Sequence, residues 1–203
     1  RLNASGCMVL PGIVDLHGDA FERQIMPRPG VSFPLKLAFL DTDRQLVANG
    51  ITTAYHGITY SWEPGLRGRE TVTKVMTALK NVSKRLGADT KCHLRFETFN
   101  FAAGDEVLNW ILDRKIDFLA FNNHLPSICK KIQENQSLSQ FLERSGLEKA
   151  AFLQLVEKLS EREHETTKLV EKLAKTARDH SVSMASHDDK TAATRQFYNS
   201  LGC

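Results

Sequence analysis

The chain has 203 residues, 41% apolar and 25% charged, with a formal net charge of +3 and a pI near 8.7. That length supports one domain (1–203) with a substantial core, and the composition excludes a disordered or fibrous chain. Lys and Arg alternate with Glu along helical stretches such as Glu157 to Lys175, the pattern of a solvated helix face and not of a nucleic-acid patch.

Four cysteines, Cys7, Cys92, Cys129 and Cys203, are far apart and form no CxxC pair, so they read as reduced thiols. No apolar run approaches the ~20 residues that cross a bilayer, and no basic-then-apolar leader opens the chain. The expectation is a cytoplasmic protein with neither membrane nor nucleic-acid partner. A start on Arg1 without Met is consistent with a leader already lost.

The first strand ends in Ile13 to Asp19, after the break at Pro11 and Gly12. Strand alternation predicts that Asp15, His17 and Asp19 share one face while Val14 and Leu16 turn into packing. A basic loop follows, with Arg28 between Pro27 and Pro29. Residues 33–49 have helical character and stop at Gly50, and residues 51–58 form a β-branched strand. Trp62 to Arg69, rich in Gly, Pro and Arg, reads as a surface loop. Val72, Val75, Met76, Leu79, Val82 and Leu86 then mark one face of an amphipathic helix ending at Gly87.

The third strand, 90–97, puts Cys92, Leu94 and Phe96 on an apolar face and His93, Arg95 and Glu97 on the other. A short helix over 105–114 opens acidic and closes basic, as the helix dipole favours. Residues 116–121 form a nearly continuous apolar strand of the kind found in parallel sheets, running into His124. The span 127–180 predicts two or three helices, broken near Gly146 and Ser160, as an excursion over the site. A fifth strand over 181–186 leads to His187, and helix-like residues run from Thr191 to Leu201.

Strand-then-helix units in succession imply parallel strands with helical crossovers, and no glycine-rich phosphate loop is present. Metal-competent groups stand at strand carboxyl ends: His17 and Asp19, Glu97, His124, His187. That placement predicts an α/β fold, a partial (β/α)8 barrel of about five units, with a rim holding a divalent metal, or two ions if Glu97 bridges them. His56, His164 and His180 read as ordinary satisfied polar residues.

The motifs carry a resemblance. Leu10 through Asp19 resembles the first-strand signature of the amidohydrolase superfamily, and Gly50 to Thr53 its second. Pro27 to Val31, His93 to Glu97, Asn123 to Pro126 and Ala185 to Asp189 resemble the diphosphatases of phosphonate metabolism within it. The resemblance implies a metal-dependent amidohydrolase-type barrel, with zinc as the expected divalent metal, that hydrolyses a ribosyl phosphonate triphosphate and releases pyrophosphate. It implies His17, Asp19, Glu97, His124 and His187 as metal ligands. Its substrate is a small phosphorylated molecule, for which Arg28 and Arg95 are the candidate contacts, with His93 as a hydrogen-bond donor. A homo-oligomer is compatible with it. The aspartate expected at the last barrel strand lies beyond Cys203, so no catalytic acid or base is assigned, and Asp188 and Asp189 read as supporting or helix-capping groups. The other readings are a cyclic-amide or N-acetyl amidohydrolase on the same scaffold, or an inactive barrel fragment.

Overall fold

β-branched and aromatic runs form five strands: β1 (Ile13–Gly18), β2 (Ile51–Tyr60), β3 (Asp89–Glu97), β4 (Phe118–Asn122) and β5 (Ser183–His187). All neighbours pair parallel, in the spatial order β1-β2-β3-β4-β5. The structure is a computed structural model that describes residues 2–28 and 30–203. Pro29, expected to help lock the Arg28 loop, lies outside the described residues.

Helices make every crossover. α1 (Ala20–Ile25) and α2 (Leu35–Ala48) join β1 to β2, α3 (Arg69–Val82) joins β2 to β3, and α4 (Gly104–Leu112) joins β3 to β4. Four helices lie between β4 and β5: α5 (Leu125–Gln133), α6 (Ser139–Ser145), α7 (Lys149–Ser160) and α8 (Thr166–Asp179). α9 (Ala192–Ser200) follows β5, with the Thr191 hydroxyl accepting from the Thr194 amide as its cap. No helix among the described residues is long and apolar enough to cross a membrane.

The sheet curls. Four strand spacings of ~4.8 Å would place β1 and β5 ~19 Å apart in a flat sheet. Instead the His17 ring of β1 stacks on the His187 ring of β5, centroid to centroid 4.9 Å. The five strands therefore form a half-barrel with helices outside, the architecture of a partial (β/α)8 barrel.

Alternation sorts the faces. Leu94, Phe96, Leu119 and Phe121 point outward, fully buried beneath Val75, Leu79, Val107, Ile111 and Leu173 of α3, α4 and α8. Each such side chain contributes ~1.5–3 kcal/mol by leaving water. The other face, carrying His93, Arg95 and Glu97, lines the concave interior.

The excursion holds four helices, not two or three, and α8 belongs to the main core. The α5–α7 segment builds a second core of Leu125, Ile128, Phe141, Phe152 and Val156 against Phe99. Gly146, at φ +70, ends α6 in the left-handed conformation, as a break there requires.

Three local expectations change. Val14 and Leu16 are 55% and 53% exposed, because β1 is the edge strand and its outer face is uncovered. The stretch from Trp62 to Arg69 is not a free surface loop: it folds into a 3-10 turn (Gly65–Arg67), Glu63 is buried, and α6 packs on it. The helix predicted to reach Gly87 ends at Val82 and gives way to a second 3-10 turn (Ser83–Arg85).

Candidate metal centre at the strand rim

Parallel pairing puts every strand's carboxyl end at one rim. Register sets Glu97 of β3 beside Asn122 of β4, and Asn122 beside His187 of β5, while His124 follows two residues after β4. The side chains meet there. His124 Nδ1 lies 2.5 Å from Glu97 Oε1, and its Nε2 lies 3.3 Å from Asp188 Oδ2. His187 Nδ1 is 2.9 Å from the same Asp188 oxygen but makes no hydrogen bond in its buried position. One donor atom each from His124, His187 and Asp188 lie within 4.8 Å of one another.

Asp188 earns its place through the backbone. It stands in the left-handed region, φ 60, at the turn out of β5, which swings its carboxylate toward the two imidazoles. Sequence reading set it aside as a supporting group; its signal was only its position beside a strand-end histidine. Asp189 differs, accepting from the Ser186 hydroxyl at 2.5 Å and from Arg195 at 3.4 Å.

His17 joins through its ring, stacked on His187 and 5.9 Å from the His93 ring. Asp19 does not share a strand face with it. β1 ends at Gly18 and pairs irregularly between Asp15 and Gly18, so strict alternation fails, and Asp19 becomes the residue that opens α1. Its carboxylate is 4.0 Å from Arg95 Nη1. Arg95 also lies 3.4 Å from His187 Nε2, so it stands beside the histidines. Arg28 is exposed in a turn bridged to Val31, and no hydrogen bond or ion pair ties its side chain to another described residue.

The electrostatics separate the histidines. The hydrogen bond that His124 donates to Glu97, against the cost of burial and with Asp188 adding a second bond and its charge, raises the His124 pKa. Burial raises the Asp188 carboxyl, but the His187 and His124 imidazoles outweigh it and hold the group below the usual carboxylate range. Partial burial, then the Arg95 charge, lowers His17. Burial lowers His93 to about 4, against its hydrogen bond to the Leu16 carbonyl. That carbonyl, 2.9 Å from Nδ1, can only accept, so Nδ1 carries the proton and Nε2 faces the interior as an unpartnered acceptor.

His56 is not a satisfied polar residue. It is boxed edge-on by Phe21 and Phe39 behind β2, its Nε2 has no partner, and burial lowers its pKa to about 4. His180 does find a partner, the Thr176 carbonyl at 3.0 Å.

Imidazole nitrogens with carboxylate oxygens are donor types that can hold a divalent metal, and the unsatisfied Nδ1 of His187 fits such a role. A cleft of about 580 Å3 lies elsewhere, between α3 and α4 and lined by Met76, Lys80, Cys92, Trp110 and Arg114. It holds none of the rim groups.

Fold and rim together define the class: an α/β half-barrel presenting imidazoles, carboxylates and a buried guanidinium at its strand ends. Among known proteins, the chain is similar to the α-D-ribose 1-methylphosphonate 5-triphosphate diphosphatase of Escherichia coli K12. The two are 25% identical over 198 residues, 95% of this chain and 52% of that protein. The chain thus spans about half the length of the curated relative it matches. No family model and no solved structure matches it.

Proposed function

We propose that the chain carries the strand-end site of a metal-dependent hydrolase that cleaves a phosphoanhydride bond of a ribosyl phosphonate triphosphate and releases pyrophosphate. The observation that supports it most is the convergence of His17, His124, His187, Glu97 and Asp188 beside Arg95. The distant relative, a diphosphatase by name, points the same way.

In this reading His17, Asp19, Glu97, His124 and His187, joined by Asp188, would hold one or two divalent ions, zinc foremost by donor type. A divalent ion there supplies Lewis-acid activation of water and neutralises charge on phosphoryl oxygens. The chain's own groups do the rest. Arg95 brings a fixed positive charge on a planar fork of donors, suited to phosphoryl oxygens. His93, with its lone pair at Nε2, accepts a hydrogen bond from a substrate hydroxyl; it does not donate to phosphate. Arg28 contributes from the loop after α1, as an exposed side chain able to reach a flexible phosphate tail. Water adds across the bond, the ribosyl phosphate taking the hydroxyl and pyrophosphate leaving.

The test is pyrophosphate release from the ribosyl phosphonate triphosphate by the protein supplied with zinc, set beside ring opening of a cyclic amide and deacetylation of an N-acetyl sugar. Release of pyrophosphate, lost in Arg95→Gln, is expected. Turnover of either amide with the triphosphate untouched would overturn the reading.

A further inference from the structure

Arg95 is not the only guanidinium at this end of the sheet; a second one is half-buried there. The turn after β2 brings in Arg67: its carbonyl accepts from the Ser61 amide at 2.9 Å, which fixes the turn, and its Nη2 donates to Glu22 Oε2 of α1 at 2.8 Å. Its Nε is buried without a partner. Arg95 shows the same deficit. Its Nε is buried and unpartnered, and the Asp19 carboxylate stands 4.0 Å from its Nη1. The Arg95 stem lies flat over Gly57, where an added Cβ would come within 3.1 Å of its Cδ. Thr59 pairs in register with Arg95, and its buried hydroxyl also lacks a partner.

The nearby Glu63 and Glu97 are each engaged through at least one oxygen, Glu63 keeping its Oε2 unpartnered. Glu63 Oε1 is 2.5 Å from Arg144 Nε, and Glu97 Oε1 is 2.5 Å from His124. Both guanidinium groups meet the start of α1: Arg67 bonds Glu22, and Arg95 stands 4.0 Å from Asp19, whose carbonyl accepts from the Glu22 amide at 3.0 Å. Two guanidinium groups whose Nε–H donors are buried and unused, beside the unpartnered Thr59 hydroxyl, suit a multidentate anion between them.

We propose that Arg67 and Arg95 form a two-armed clamp for the phosphate chain of a polyphosphate ester, with Glu22 bracing Arg67 and Thr59 offering its hydroxyl. The proposal rests on the phosphorylated substrate of the reading above. It adds a positioning residue and a contact that neither the motifs nor the relative assigns. The Gly, Pro and Arg-rich stretch from Trp62 to Arg69 held the residue in plain view, but read as surface it gave no reason to look there.

The test is titration of the protein with inorganic tripolyphosphate in EDTA, so that no metal bridges the anion, with melting temperature followed in parallel. Loss of charge-assisted hydrogen bonds is expected to raise Kd about 10- to 100-fold in Arg67→Gln. Arg67→Lys, which keeps charge and loses the fork, falls between, and Glu22→Gln changes Kd less than either. Wild type that fails to bind tripolyphosphate would overturn the clamp. So would an Arg67→Gln variant that melts lower but binds with unchanged Kd, the mark of a merely structural ion pair. Pyrophosphate release from the ribosyl phosphonate triphosphate, measured on the same variants supplied with zinc and without EDTA, separates the two ideas. Release by wild type with Arg67-independent binding sinks the clamp alone, whereas Arg67-dependent binding without release keeps the clamp and sinks the hydrolysis reading.

Discussion

Arg144→Met examines how the helical excursion is fastened at the rim. Arg144, on α6, meets Glu63 at 2.5 Å, and the Glu63 side chain is 0% exposed while that of Arg144 is 18% exposed. The second Glu63 oxygen has no partner, so Arg144 makes the direct contact that compensates this charge, with the Arg67 charge adding from further off. Removing one partner of a buried pair costs ~3–5 kcal/mol, because the other charge stays buried and unpaired. For a chain of 203 residues, that converts at ~2–4 °C per kcal/mol to a fall in melting temperature of roughly 6–20 °C.

The loss should ease in acid. Burial raises the Glu63 pKa in the folded chain, against the pull of Arg144, so the folded state binds the proton more tightly than the unfolded one. Its penalty is absent below the unfolded value and grows as pH rises through the folded one. Without Arg144 the folded value rises further, and the variant should recover stability as pH falls from 7 toward 5. Urea unfolding across that range, with Glu63→Gln and the double variant completing a cycle, measures the coupling. A loss below ~1 kcal/mol, or one that does not change with pH, would refute the reasoning.

His56→Phe should flatten an acid-side slope. A folded pKa near 4 against 6.5 unfolded makes the neutral ring's contribution, ~3 kcal/mol, complete above pH 6.5 and progressively lost toward pH 4, as chemical unfolding at stepped pH will show. Gly65→Ala should lower stability by more than ~1–2 kcal/mol, since φ is +80 there and a Cβ would sit 2.2 Å from the Arg144 carbonyl; rapid proteolysis within the excursion reports the loosened α6 contact. Phe152→Ala, at a fully buried position, should cost ~3–5 kcal/mol, and hydrogen exchange should rise in α5–α7 before the sheet; uniform loss of protection would contradict a separately packed second core.

Much of this was legible in residues alone. β3 alternates without interruption, so Cys92, Leu94 and Phe96 could be assigned outward and His93, Arg95 and Glu97 inward from the period of two. β4 is nearly all apolar because both its faces are buried. Long-range consequences were not legible. Nothing local says that β1 curls far enough to stack His17 on His187, or that Glu63 would find its counter-charge 81 positions away on α6. Asp19 was misplaced because alternation was extended one residue past the strand, and Asp188 was set aside because its role depends on a left-handed backbone that sequence does not announce.

The most direct measurement is the divalent metal retained per chain after gel filtration. The expected result is about one or two ions per chain, of which at least half is lost in the His124→Ala, His187→Ala double variant while circular dichroism stays unchanged. A folded protein that retains no metal, or a double variant that retains it all, would contradict a metal centre at this rim.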